Sequence, residues 1–371
     1  MKMLGIIFSN IYDGEMGELT KNRTVASLPF GGRYRQIDFV LSNMVNSGIT
    51  SVGVITKYNY QSLMDHFGDG SEWDLNRKND GLFILPPFAS GNTGVYKGKL
   101  EALNSALSFL RRSKYKYVLM CDSTVICNID FEEVLNSHIK SGADITVVAN
   151  KDYQNKNNVN NELILKVVRS RVVDMAVNTI VSDGDYTGMG MYIMDRKSLI
   201  SVIEYSVSHG LCHFEKDFLQ RRFITGDFNI NVYKFKDCVL RNKSVASYFK
   251  NNLSLTSEKT QKGIFKPDAP VYTKVRDEAP TYYAKGCSVD DCIIADGCNI
   301  KGSIKNSVIF RDVVIEEGAI VHNCVLMQGT KIGRNSQLVN VIADKDVTVT
   351  EDTVLSGAEM SPLIIGKGKI V

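Results

Sequence analysis

Apolar and polar positions follow two different rhythms along this chain. Up to about residue 255, short continuous apolar runs alternate with stretches of helical spacing. Leu4 to Phe8 predicts a strand buried on both faces, since a strand with one wet face would alternate. Ile37, Val40, Leu41, Met44 and Val45 recur at helical spacing, and Gly48 falls where a left-handed cap would end that helix. Ser51 to Thr56 predicts a second strand, Leu100 to Leu110 a helix, Tyr117 to Cys121 a strand, Phe131 to Ser141 a helix and Ile145 to Ala149 a strand. Strand and helix in alternation predict a mostly parallel α/β sheet covered on both faces. Such sheets bind ligands beyond the carboxyl ends of their strands, so the loops after Phe8, Thr56 and Cys121 are where chemistry is expected.

From Thr256 to about Lys285 the pattern breaks, and Pro267, Pro270 and Pro280 mark a linker. Beyond it Val308, Val314, Ile320, Leu326, Ile332 and Leu338 fall six residues apart. Ile294 and Ile300 carry the same step after a phase shift, and Val341 and Val347 restart it. Neither the strand period of two nor the helical period of 3.6 sustains a step of six. A triangular coil does, because each corner turns one aliphatic side chain inward and stacks it on the coil below. The expected organisation is a parallel α/β domain over 1–255, a linker over 256–284 and a left-handed hexapeptide β-helix over 285–371.

Composition narrows the partners. Among 371 residues, Lys+Arg 44 against Asp+Glu 41 leave a net charge of +3, too small to favour nucleic acid or an anionic membrane. Any basic site must be local. No stretch approaches the ~20 apolar residues of a membrane helix. The apolar run ending at Phe8 gives way to Ser9 and Asn10 without a cleavage-type segment, so a cytoplasmic protein is expected. Eight cysteines without paired CxxC spacing predict small buried thiols, with Cys287, Cys292 and Cys298 the nearest approach to a zinc pattern.

One stretch carries a specific resemblance. Leu28-Pro29-Phe30-Gly31-Gly32-Arg33-Tyr34-Arg35-Gln36-Ile37-Asp38-Phe39, followed by Leu41-Ser42-Asn43 and Asn46-Ser47-Gly48-Ile49, resembles the signature of ADP-glucose pyrophosphorylases, the glucose-1-phosphate adenylyltransferases. Trp73-Asp74-Leu75, Leu85-Pro86-Pro87, Tyr96-Lys97-Gly98 and Tyr248-Phe249-Lys250-Asn251-Asn252-Leu253 resemble further blocks of that family, in order and at compatible spacing. The resemblance implies the fold derived above from periodicity, and a nucleotidyl transfer from ATP to a sugar phosphate. That chemistry needs amides around a triphosphate, cations on the transferring phosphorus and carboxylates for Mg²⁺.

The matching positions lack these parts. The family's GGxGxRL loop falls on Asn10-Ile11-Tyr12-Asp13-Gly14-Glu15-Met16, so Glu15 stands for the arginine and Asn10, Ile11 and Asp13 for three glycines. Branched Ile11 would hinder backbone approach to phosphate, and Asp13 and Glu15 would repel it. The resemblance further puts Val25 at a lysine, Thr124 and Arg241 at the two metal aspartates, Asn178 at the sugar-phosphate lysine and Glu162 at a substrate-contacting glycine. Tyr96 is kept as a binding residue, and Gly188 falls on a binding serine. No catalytic residue is therefore expected, and Mg²⁺ would be needed only if the chain were active. Arg23, Arg33 and Arg35 form a candidate anion or effector site, since guanidinium forks suit phosphate; surface or interdomain ion pairing is the competing reading.

This pattern resembles the GlgD-type branch of the family. The resemblance implies a regulatory subunit that joins an active ADP-glucose pyrophosphorylase subunit in a hetero-oligomer, expected as a tetramer. It leaves open a phosphorylated small-molecule effector and self-association of this chain alone. Two alternatives stand beside it. Asp122 with Asp237 could rebuild a metal site for an active sugar-1-phosphate nucleotidyltransferase. His322 on the β-helix raises an acyltransferase, although a lone histidine on a coil face is more often structural.

Overall fold

The computed structural model describes residues 3–11, 13–87, 96–151, 162–168, 171–179, 182 and 184–371. Tyr12 of the loop just discussed lies outside the described residues.

Nine of the described strands form one sheet. Its centre is Met3–Phe8, paired in parallel with Ser51–Ile55 on one side and Tyr117–Asp122 on the other. All three are buried along their whole length, as their unbroken apolar runs require. Gly81–Leu85 extends the sheet in parallel beyond Ser51–Ile55. The sheet is mostly parallel as expected, but Tyr186–Asp195 runs against both Tyr117–Asp122 and Ile145–Asn150. That strand carries a bulge between Gly188 and Met191, where Gly190 takes φ +65. A Cβ on Gly190 would lie 2.2 Å from the Asp122 carboxylate, so only glycine fits there.

The helix over Gln36–Asn46 begins with one half of a capping box. Asp38 accepts the Arg35 amide at 2.9 Å, and Gly48 follows at φ +73. The single helix expected over Leu100–Leu110 is two, Lys99–Ser105 and Leu107–Arg112, broken at Ala106. The stretch expected as linker holds a further helix, Glu258–Ile264, whose Ile264 is buried. The first strand of the β-helix, Tyr282–Tyr283, lies just ahead of the expected start at 285.

The C-terminal region is the expected three-sided left-handed β-helix, with three parallel sheets of five strands. Its coil differs from the hexapeptide ideal. Val314 pairs with Lys331 and Lys331 with Thr348, seventeen residues each time, so one side in three is a residue short. Ile309, Ile315, Val321, Leu326, Ile332 and Leu338 stack inward, in steps of six, six, five, six and six. The expected inward run was therefore in phase only from Leu326 onward. Ile320 points outward and is 46% exposed, Val314 is half-buried, and Val308 is buried against the other domain.

One sheet of the β-helix is apolar on both faces, and this joins the two halves of the chain. In Val308–Ile309 and Val325–Leu326 the second residue points into the coil and the first points out. Val308, Phe310, Val325, Met327 and Ile342 pack on Met16, Val25, Phe30, Phe39, Tyr248 and Ile264 in one buried cluster. Arg23 reaches across the same seam to a buried ion pair with Asp344.

Candidate functional site

A cleft of about 270 Å³ opens at the carboxyl ends of the central strands, where a parallel sheet is expected to bind. Ser9 to Ile11 and Thr56 to Lys57 line it directly, as do Tyr96 to Lys99, Val177, Asn178 and His213. The loop after Cys121 does not line it, contrary to expectation; Asp122, at the end of that strand, is buried behind Lys99.

The first loop is closed on itself. The Asn10 side chain donates to Asp13 and to Tyr58 O, and accepts from the Lys57 amide at 2.8 Å. Asp13 is turned inward and accepts the Val25 amide at 2.7 Å, and burial raises its pKa to about 6. Glu15 points to solvent and does not line the cleft. The expectation that Asp13 and Glu15 would confront a triphosphate is thus corrected: one is an internal acceptor and the other lies outside. Ile11 and the tied Asn10 are the residues of this loop that line the cleft.

Deeper in, cations meet the protein's own oxygens. Lys99 Nζ lies 3.0 Å from the Asp122 carboxylate and contacts Glu215, which also accepts from Tyr192 Oη at 3.0 Å. Burial opposes charge on Lys99, but the two carboxylates outweigh it and raise its pKa. Burial raises Asp122, whereas Lys99 holds Glu215 below its ordinary value. Arg241 is buried and donates to Asn150 Oδ1 at 2.6 Å and to the carbonyls of Thr187 and Gly188 at 3.2 Å. Lys243 and Glu162 form a buried pair at 2.7 Å, and burial lowers the Lys243 pKa.

The structure brings together Arg241 and Gly188, with Tyr96 and Asn178 on the cleft wall. Asn178 takes φ +60 and donates its amide to Glu162 O. Thr124 is buried and accepts the Asn242 amide at 2.9 Å through its backbone. Val25 is fully buried in the shared cluster between the two domains. Asp122 and Asp237 are not brought together: Asp237 is exposed, pairs with Lys266 at 2.8 Å and lines a separate depression with Asp130 and Tyr233. Among the described residues no group of three His, Cys, Asp or Glu could hold a metal. The residues at this cleft do not fit Mg²⁺, because the Asp122 and Glu215 carboxylates are taken by the Lys99 ammonium. His322 lies on the middle strand of one β-helix sheet, between Lys305 and Val339. The cysteines are free thiols.

A second site sits at the seam between the domains. Arg33, Arg35, Lys274, Arg276, Arg311 and Lys345 surround a crevice of about 50 Å³. Arg23 is not in it, being spent on Asp344. Arg35 donates to Ser62 O and Oγ, and burial lowers its pKa to about 10, so it stays charged. Two buried polar atoms on its wall, Arg311 Nη2 and Thr273 Oγ1, have no hydrogen-bond partner. Burial and the nearby Arg35, Arg23 and Arg276 lower Lys345 to about 7, with Asp344 opposing. Sequence reasoning found Arg33 and Arg35 but missed the other four, which come from the linker and the β-helix.

A mostly parallel sheet with a cleft at its strand ends, carrying a β-helix, defines a nucleotidyltransferase-type domain joined to a hexapeptide domain. The Nucleotidyl transferase family profile matches residues 16–160, and the profile described as GlmU-like, C-terminal hexapeptide matches residues 279–360. The Glycogen biosynthesis protein GlgD of Geobacillus stearothermophilus is 37% identical over 375 residues, covering 100% of this chain and 97% of its own. That of Bacillus subtilis (strain 168) is 33% identical over 369 residues with the same coverage. A Glucose-1-phosphate adenylyltransferase of Bacillus mycoides (strain KBAB4) is 30% identical over 364 residues, 95% of this chain and 94% of its own. The chain belongs to the ADP-glucose pyrophosphorylase (glucose-1-phosphate adenylyltransferase) family, in its GlgD group.

Proposed function

We propose that this chain is a regulatory, non-catalytic subunit of glucose-1-phosphate adenylyltransferase, which joins ATP and glucose 1-phosphate into ADP-glucose and pyrophosphate for glycogen synthesis. It works in the cytoplasm, in a mixed tetramer with an active paralogous subunit, and needs no cofactor of its own. The observation that carries this reading is that Lys99 on the cleft wall, and the buried Arg241 and Lys243 that do not line it, are bound to the protein's own carboxylates and carbonyls. Removing metal carboxylates and phosphate-facing amides takes away several kcal/mol of transition-state stabilisation.

Regulation enters at the interdomain crevice, where a phosphorylated small molecule bridges arginines of the first domain and Arg311 and Lys345 of the β-helix. An anion that binds one arrangement of the seam more tightly shifts the mixed oligomer toward it. The alternative of an active site rebuilt on Asp122 and Asp237 has no support in the geometry, because the two lie in different places.

The test is ADP-glucose synthesis and pyrophosphorolysis by this chain alone, then mixed with an active homologue. The expected result is no turnover alone, co-elution in the mixture and a changed rate or effector response of the partner. Robust Mg²⁺-dependent turnover by the chain alone, or no effect on any partner, overturns the proposal.

A further inference from the structure

The geometry points to Lys99 as a tethered cation that holds the place of a divalent metal between Asp122 and Glu215 and thereby excludes one. Its Nζ is 3.0 Å from both oxygens of the Asp122 carboxylate and in contact with Glu215 Oε1. Aromatic faces close the remaining sides, with the ring centroids of Phe8 and Tyr192 at 5.6 and 5.5 Å. Tyr192 Oη donates to the same Glu215 oxygen, which fixes that carboxylate toward the ammonium. The side chain of Lys99 is only 10% exposed, so little water competes for it.

Two carboxylates aimed at one point from different elements are what a hard cation requires, and here the Lys99 ammonium occupies that point. Oxygen ligands sit about 2.1 Å from Mg²⁺ or Mn²⁺, closer than the ammonium contacts here, so a small inward shift of Asp122 and Glu215 would suffice. With Lys99 present, an entering divalent ion must displace a bound charge that the chain cannot release. With Lys99 removed, the two buried carboxylates face each other uncompensated, which favours uptake of a cation. Lys99 is thus a determinant of metal exclusion at this cleft, independent of the loss of loop glycines. The inference rests on the reading that this cleft has given up metal-dependent transfer, but it concerns cation occupancy and not turnover.

The experiment is Mn²⁺ titration followed by electron paramagnetic resonance, on the full-length wild-type chain, Lys99→Ala, Lys99→Arg, Asp122→Asn and the Lys99→Ala/Asp122→Asn double variant. Lys99→Ala should bind Mn²⁺ at least tenfold more tightly than wild type, and the double variant should lose that gain. Lys99→Arg should behave as wild type, and so should Asp122→Asn. A folded Lys99→Ala with wild-type Mn²⁺ affinity overturns the inference, as does a wild-type Mn²⁺ site abolished by Asp122→Asn. Lys99→Gln repeats the measurement if the alanine variant fails to fold by circular dichroism. If neither folds, a wild-type Mn²⁺ site abolished by Asp122→Asn still overturns the inference, since Lys99 cannot be excluding a metal that Asp122 already binds. Turnover by the wild-type chain would refute the proposed function while leaving these outcomes readable.

Discussion

The chain holds two basic sites, and they treat their charges in opposite ways. At the cleft by the strand ends, Lys99 on its wall and the buried Lys243 and Arg241, which do not line it, are each bound to a carboxylate or carbonyl of the same chain. In the interdomain crevice, Arg33, Arg276 and Lys345 face one another with no carboxylate in ion-pair reach among the described residues, and Arg311 Nη2 is left without an acceptor. Lys345 is half-buried, and Arg311, whose Nε pairs with Asp296 at 3.0 Å, keeps Nη2 unsatisfied. These two are the groups that an added counter-charge would satisfy, while Arg33 and Arg276 are exposed at the rim. The cations behind the cleft have internal counter-charges, although Lys57, Lys97 and Lys216 on its wall have none in ion-pair reach among the described residues. The smaller crevice has left a place for a counter-charge.

Breaking a closed charge should cost more than altering an open one. Arg23→Ala leaves Asp344 buried and unpaired at the seam and should destabilise the chain by about 3–5 kcal/mol in chemical denaturation. Gly190→Ala combines a left-handed backbone with a clash on the Asp122 carboxylate, and about 2–4 kcal/mol of stability should be lost. The crevice should respond in affinity instead. Arg276→Glu should weaken sulfate binding about 10–100-fold by calorimetry while leaving the melting temperature near that of wild type. An unchanged sulfate affinity would erase the contrast between the two sites.

The smallest expected effect is on pH. Lys345 is lowered to about 7 by burial and by Arg35, Arg23 and Arg276, so above that pH it is mostly neutral in the empty crevice. An anion binds its charged form, so affinity is full below pH 7 and falls by up to about tenfold per pH unit above it. Sulfate does not titrate in this range, which makes it the probe of choice, and Lys345→Met should flatten the profile. The stability sign is the reverse. The folded pKa lies below the ordinary 10.5, so this lysine costs stability below pH 7 and the cost fades as pH rises toward 10.5.

Much of the cleft was legible along the chain because its losses are local. Asn10, Ile11 and Asp13 sit in one short loop, and no distant residue is needed to see that glycines are gone. The replacements were not legible. Glu215 lies 116 positions from Lys99, and Asp344 lies 321 from Arg23, so neither pairing leaves a local trace. The β-helix phase was misread for a related reason. Where a coil side is buried on both faces, as at Val308–Ile309, adjacent aliphatics hide which one points inward. The five-residue side between Val321 and Leu326 then shifts the count by one.

That doubly buried sheet has a consequence for how the molecule comes apart. Its outer face supplies part of a core that also contains Val25, Phe39 and Tyr248, so neither half completes its interior alone. Two architectures drawn as separate by their periodicities therefore share one cooperative folding unit, and heat or denaturant should meet a single transition. The crevice lies on that shared boundary, which makes occupancy by an anion a direct contributor to the cohesion of the whole chain.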